Sequence, residues 1–171
     1  READEQSWLT EGRPPTVEEL LATRVAGSVL DESLRLAPPV WVAPRRALRD
    51  VDVQGVRIPA GAHVLVSQYV THRDPTVFPE PERFRPGRWE EGFERGLPRG
   101  AYVPFGAGTR RCLGDQFALL EGRIILLTVA RSFRLIPTGR RPLPRAQPRA
   151  TYRTRGPVPV RVEARQAAPR T

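Results

Sequence analysis

The chain has 171 residues, 39% of them apolar, which is enough for one ordinary domain with a core of its own. A single cysteine rules out an internal disulfide framework, and no apolar run is long enough to span a bilayer. The net charge of +9 invites a nucleic-acid reading, but the arginines are scattered from Arg1 to Arg170, with no basic helix face, zinc-finger spacing or aromatic–basic interleaving to support one.

In chain order, Arg13-Pro14-Pro15 is a breaker, and Thr16 to Glu19 then reads as a capping box. Leu20, Leu21, Val25, Val29, Leu30 and Leu34 follow at helical spacing, which predicts one helix or two successive short ones over 17–36. Pro38-Pro39 end it. Glu32 and Arg35 lie three apart on one face of this helix. Taken alone, such a pair is a solvated surface contact, and Asp31 competes for Arg35 at i,i+4. The apolar stretch Val40-Trp41-Val42 comes next.

Val51 and Val53, the turn Gln54-Gly55, then Val56 and Ile58 predict a hairpin. Pro59-Ala60-Gly61 turns the chain into Val64-Leu65-Val66, so a small sheet is expected over 50–70. Residues 73–104 carry Pro75, Pro79, Pro81, Pro86, Pro98 and Pro104 and little periodicity. So long an irregular segment implies a functional reason. It leads into the loop 105–114. From Asp115 to about Phe133 an apolar-rich helix is predicted. Phe117, Leu120, Ile124 and Leu127 line one side, and Leu119, Ile125, Leu126 and Val129 widen the stripe, so it is expected to be mostly buried. Over 134–165 a terminal hairpin of Thr151–Arg155 with Val158–Val162 is expected about Gly156-Pro157, with 164–171 frayed.

The loop holds the one cysteine: Phe105-Gly106-Ala107-Gly108-Thr109-Arg110-Arg111-Cys112-Leu113-Gly114. A thiol binds metal as thiolate, so its site must favour negative charge. Arg110, Arg111 and the start of the following helix do so. Gly106, Gly108 and Gly114 permit positive φ and close approach to a flat ligand. One Cys with two distant His is a poor zinc set. There is no G-x-S-x-G, C-x-x-C or H-E-x-x-H. Without lysine there is no Walker A loop, and Arg111 stands where a dinucleotide fingerprint needs its third glycine.

This loop resembles the haem-binding loop of the cytochrome P450 family, F-x-x-G-x-R-x-C-x-G, with Phe105, Gly108, Arg110, Cys112 and Gly114 at the fixed positions. The resemblance implies a fold that is mainly α with small β-sheets (α+β), of which residues 1–171 form the C-terminal, haem-binding part. It implies haem b with Cys112 as axial iron ligand, and Arg110 paired with a haem propionate. Arg45 is the candidate for a second such arginine, with Arg46 as competitor. Glu32 and Arg35 match the family's E-x-x-R helix, and Pro81-Glu82-Arg83-Phe84 makes Arg83 the candidate third member of a buried network. Val40, Trp41 and Val42 either line an apolar substrate pocket or pack as ordinary core. His72 receives a supporting, hydrogen-bonding role; His63 is expected to be exposed.

The activity implied is monooxygenation of an apolar organic substrate with O2. Electrons would come from NAD(P)H through a ferredoxin or flavodoxin-like donor, steered by Arg99, Arg110 and Arg111. No nucleic acid or membrane segment is implied, and the expected compartment is cytoplasmic. Peroxide-using or dehydrating haem-thiolate enzymes share the loop. The alternative from another class is an arginine-rich interaction module or non-enzymatic remnant. The chain has no methionine, and nothing in it matches the family's distal acid–alcohol pair. It therefore reads as a segment that on its own binds haem poorly and lacks monooxygenase activity.

Overall fold

Thr16 opens the first helix, α1 (Val17–Ala22), with the capping box in place: its hydroxyl accepts from the Glu19 N–H at 3.2 Å, and the Glu19 carboxylate accepts from the Thr16 N–H at 2.8 Å. Thr23 then interrupts the helix. Its backbone is extended (ψ 93°) and its buried hydroxyl donates to the Leu20 carbonyl at 2.6 Å, competing with the helical ladder. The chain resumes as α2 (Arg24–Leu36), so the 17–36 region is two helices, ended before Pro38. The structure is a computed structural model that describes residues 14–139 and 146–165, apart from the side chains of Glu91 and Ala146.

β1 (Ala43–Arg46) pairs antiparallel with β4 (His63–Val66), in the register Arg45 opposite Val64. Between them, β2 (Val51–Val53) and β3 (Val56–Ile58) form the expected hairpin. Its turn residues Gln54 and Gly55 have φ of 51° and 82°, the mirror-type turn that matches strand twist. The small sheet thus starts at residue 43 rather than 50, because the partner of β4 comes from before the hairpin. A short α3 (Gln68–Thr71) follows, capped by the Ser67 hydroxyl. The irregular segment contains one 3₁₀ stretch, Pro86–Gly96, packed on α2.

α4 (Asp115–Ser132) follows the cysteine loop. Two glycines set its crossing with α2. A Cβ at Gly122 would stand 2.9 Å from Leu30, and one at Gly27 would stand 2.9 Å from the Arg123 guanidinium. The expectation that α4 is mostly buried is not met. Asp115 is its one buried residue, while Phe117, Ile124 and Ile125 are exposed, since only one side of the helix meets α2 and α1.

The expected terminal hairpin is also not formed. β5 (Phe133–Pro137) pairs with β8 (Val160–Ala164), and β6 (Ala146–Pro148) pairs with β7 (Tyr152–Thr154). Each run is instead taken by an earlier partner, Val160–Ala164 by Phe133–Pro137 and Tyr152–Thr154 by Ala146–Pro148, so neither is left to pair with the other. Of the segment expected to fray, Ala164 ends β8, and residues 166–171 lie outside the described ones.

The centre of the molecule is small and partly polar. Phe78 and Trp89 are buried, and the Trp89 ring lies 4.4 Å from that of Tyr102 and 5.9 Å from that of Phe93. Beside them Glu32, Arg35 and His72 are fully buried. Among the described residues no helix is long and apolar enough to cross a membrane.

Candidate functional site

A buried carboxylate placed by α2 organises one half of the site. Arg35 Nε donates to Glu32 Oε2 at 2.8 Å and Nη2 donates to Oε1 at 2.9 Å, a bidentate fork. The other guanidinium hydrogens reach the carbonyls of His72 (2.9 Å), Pro81 (2.7 Å) and Arg83 (3.2 Å). Every N–H of Arg35 is therefore satisfied. Glu32 further accepts from the Arg85 backbone N–H at 2.8 Å, from Trp89 Nε1 at 2.9 Å and from Arg88 Nε at 3.1 Å. Burial alone would raise the Glu32 pKa; the hydrogen bonds from Arg35, the Arg85 N–H and Trp89 outweigh it and hold the carboxyl below its ordinary value. Asp31 does not compete for Arg35. It points elsewhere and accepts from the Tyr102 hydroxyl at 3.1 Å.

The third arginine of this network is Arg88, not Arg83. Arg83 contributes its carbonyl, while its own side chain is exposed and pairs with Glu80. Arg88 is buried against Glu32, with its remaining donors on the Pro79 and Glu80 carbonyls. The signal was present in the sequence. Proline-x-arginine-aromatic occurs twice, at Pro81-Glu82-Arg83-Phe84 and at Pro86-Gly87-Arg88-Trp89. Trp89, the aromatic of the second copy, supplies the indole N–H that Glu32 accepts.

The cysteine loop is built by local backbone bonds. The Gly106 N–H donates to the Val103 carbonyl at 2.9 Å, Arg111 N–H to Gly108 at 3.1 Å, and Cys112 N–H to Phe105 at 2.9 Å. Gly106 and Gly108 have φ of 74° and 71°, conformations a side chain rarely adopts. Gly114 does not share this need. Its φ is −93°, and a Cβ there would lie an ordinary 3.9 Å from Cys112 Sγ. Cys112 is exposed, Leu113 after it is fully exposed, and Phe105 is half-buried. Arg111 is committed to an ion pair with the buried Asp115, whereas the exposed Arg110 makes no ion pair or hydrogen bond among the described residues.

The loop is tied to the buried network through His72, whose Nε2 accepts from the Val103 N–H at 2.9 Å. Burial, then the charges of Arg35 and Arg73, push this imidazole down to about 4, against the pull of the Arg35 and Leu34 carbonyls. It is neutral near pH 7. His63 is exposed, as expected.

The remaining sequence candidates lie on the β1–β4 side. Arg45 and Arg46 are both exposed and, as neighbours on β1, leave opposite faces of the strand. Arg45 donates to its own neighbour, the Pro44 carbonyl, at 2.8 Å. Val40 is exposed, and Trp41 and Val42 are half-buried. Trp41 joins two parts of the chain: its indole donates to the Arg149 carbonyl at 2.8 Å, and its own carbonyl accepts from Tyr69 N–H and the Ser67 hydroxyl.

A buried E-x-x-R fork beside a glycine-turned cysteine loop defines a class, and comparison with known proteins gives the same class. The cytochrome P450 family model matches residues 3–160, and the chain belongs to that family. It is 43% identical over 129 residues to a cyclooctat-9-en-7-ol 5-monooxygenase of Streptomyces melanosporofaciens, a match covering 75% of this chain and 28% of that protein. It is 41% identical over 121 residues to human cytochrome P450 4V2, covering 71% of this chain and 23% of the relative. Among solved structures, retinoic acid-bound cyanobacterial CYP120A1 superposes with a TM-score of 0.85 at 32% identity, over 96% of this chain and 38% of that one. The haem domain of cytochrome P450DA gives 0.84 at 30%, over 95% and 36%. The α+β fold is that of P450 haem domains, and the chain spans about a quarter to two-fifths of these proteins.

Proposed function

We propose that this chain is the thiolate-bearing portion of a haem monooxygenase, in which Cys112 would hold the iron of protoporphyrin. The observation that carries the reading is the exposed Cys112 thiol, presented by a turn that two positive-φ glycines shape, with Leu113 fully exposed after it. That donor set fits the group. A thiolate, an apolar flank and an unpaired cation are what haem iron, the porphyrin face and a propionate require. Arg110 is the unpaired cation, and Arg45 is the candidate for a second propionate from β1.

When bound, haem iron supplies the activation of O2: one oxygen atom enters an organic substrate and the other leaves as water, with two electrons drawn from NAD(P)H. The chain's own residues set the conditions for it. The Cys112 N–H is held by the Phe105 carbonyl, which fixes the backbone from which the sulfur projects. Phe105, half-buried at the start of the loop, is the side chain suited to limiting water at the sulfur once the porphyrin covers it. The Glu32–Arg35–Arg88 network holds the loop's surroundings and takes no part in the chemistry. Arg99, an exposed cation ahead of the loop, suits an acidic electron donor of the ferredoxin or flavodoxin type.

An apolar substrate fits the side chains of Val40, Trp41 and Val42, and the names of the relatives include cyclooctat-9-en-7-ol as the compound oxidised by one and retinoic acid as that bound by another. In the full-length parent, Cys112→Ala is expected to abolish the red-shifted Soret band of the reduced, CO-bound form. If that band survives unaltered, the reading is wrong.

A further inference from the structure

We infer that His72 is the positioning residue for Cys112: its imidazole fastens the root of the cysteine loop, at Val103, to the buried Glu32–Arg35–Arg88 network. The consequence for iron ligation rests on the reading of Cys112 given above. The mechanical link stands on this chain's own hydrogen bonds.

Three hydrogen bonds hold His72 itself. Its N–H donates to Gln68 at 2.9 Å, its carbonyl accepts from Arg35 Nη1 at 2.9 Å, and Nε2 accepts from Val103 N–H at 2.9 Å. Two further backbone bonds carry the constraint onward. The Val103 carbonyl accepts from Gly106 N–H, and the Phe105 carbonyl accepts from Cys112 N–H. Among the described residues, no other side chain from outside the loop hydrogen-bonds the backbone of residues 103–112. Tyr102, next to Val103, is clamped from the same direction. Its hydroxyl bonds to Asp31 on α2, and its ring lies 5.1 Å from the imidazole.

The tautomer follows from the geometry. With Nε2 accepting, the proton sits on Nδ1, which is buried beside the Arg35 and Leu34 carbonyls but out of line for a full hydrogen bond to either. A buried donor so poorly paired costs free energy, so a side chain kept for packing alone would be apolar. A leucine here would remove that donor but strand the Val103 N–H. The imidazole therefore sits here for its acceptor.

The test compares His72→Gln, whose Oε1 reaches roughly where Nε2 does, with His72→Leu, which has no acceptor. Amide hydrogen exchange is followed residue by residue in the full-length parent, freed of haem. His72→Leu is expected to speed exchange at Val103, Gly106 and Cys112 by about tenfold, the loss of one buried hydrogen bond, while α2 amides stay protected. His72→Gln should stay within about threefold of the unaltered chain, since it keeps the bond. Unchanged Cys112 exchange in folded His72→Leu, or a His72→Gln as loose as the leucine variant, overturns the inference.

If His72→Leu does not fold, the nitrogen–nitrogen coupling across the Val103 N–H to His72 Nε2 bond decides in the unaltered chain. Its presence supports the link and its absence refutes it. In the full-length parent, His72→Leu should broaden or partly lose the thiolate Soret band, with rescue by glutamine. Cys112→Ala should leave Val103 exchange untouched, so failure of the ligand assignment and failure of the positioning role give different results.

Discussion

The buried carboxylate network and the cysteine loop are neighbours joined by one imidazole, yet they are built on opposite principles. Around Glu32 every charge finds its partner inside the chain: Arg35 spends all its N–H groups, and Arg88 and Trp89 close the remaining carboxylate positions. The loop does the reverse. Its thiol, Leu113 and Arg110 all face outward, while its backbone and the Arg111–Asp115 ion pair are satisfied locally. The first region makes a rigid reference; the second offers chemistry to something outside the chain. Rigidity can be completed by self-pairing, whereas a metal ligand must be left unpaired.

The sharpest way to break this contrast is at Arg88. Replacing it with leucine leaves Glu32 buried with part of its compensation gone, so unfolding in urea should show a loss of about 3–5 kcal/mol. A loss no larger than that of a surface variant would mean the network does not stabilise the fold.

Next in size comes acidification. His72 has a folded value of about 4 against 6.5 unfolded, so between these values the unfolded state binds the extra proton. Stability is therefore expected to fall by about 3 kcal/mol as pH drops from 6.5 to 4, and to level off for this group below that. Asp31, whose carboxyl is raised by burial, works in the opposite sense, and Glu32 loses its contribution only as pH falls through its lowered folded value. Comparing urea midpoints with those of His72→Gln isolates the histidine: the glutamine variant should show a shallower decline.

A smaller effect is expected where α2 meets α4. Gly122→Val forces two methyls against Leu30 and should cost about 1–3 kcal/mol in thermal or urea unfolding. An unchanged midpoint would show that the crossing is looser than drawn.

Least of all, Arg83→Ala and Cys112→Ala should leave the unfolding midpoint of the chain unchanged within error, since both side chains are exposed. The unaltered Cys112 should also react fully with a soluble thiol reagent under native conditions. A protected thiol would place the loop in a different conformation from the one described.

Much of this was legible in residue order. The capping box at Thr16, the Gln54-Gly55 turn and the start of α4 after the cysteine depend on neighbours a few residues apart, and each formed as local chemistry dictates. What misled was repetition and pairing at a distance. Two proline-x-arginine-aromatic strings lie five residues apart, and nothing in either string states which arginine will turn inward. The terminal hairpin failed for a related reason. Strand-like runs at 151–155 and 158–162 are adjacent, but the better hydrogen-bonding partner for Val160–Ala164 is Phe133–Pro137, far back in the chain.

By itself the sequence determined the family, the cysteine and the order of the elements, because motif spacing and turn chemistry are properties of contiguous residues. Only the tertiary structure decided that Arg88 faces Glu32, that His72 holds Val103, and that α4 leaves Phe117, Ile124 and Ile125 uncovered. Those outcomes depend on which groups lose their water together, and burial is fixed by segments that meet in space while lying dozens of residues apart in the chain.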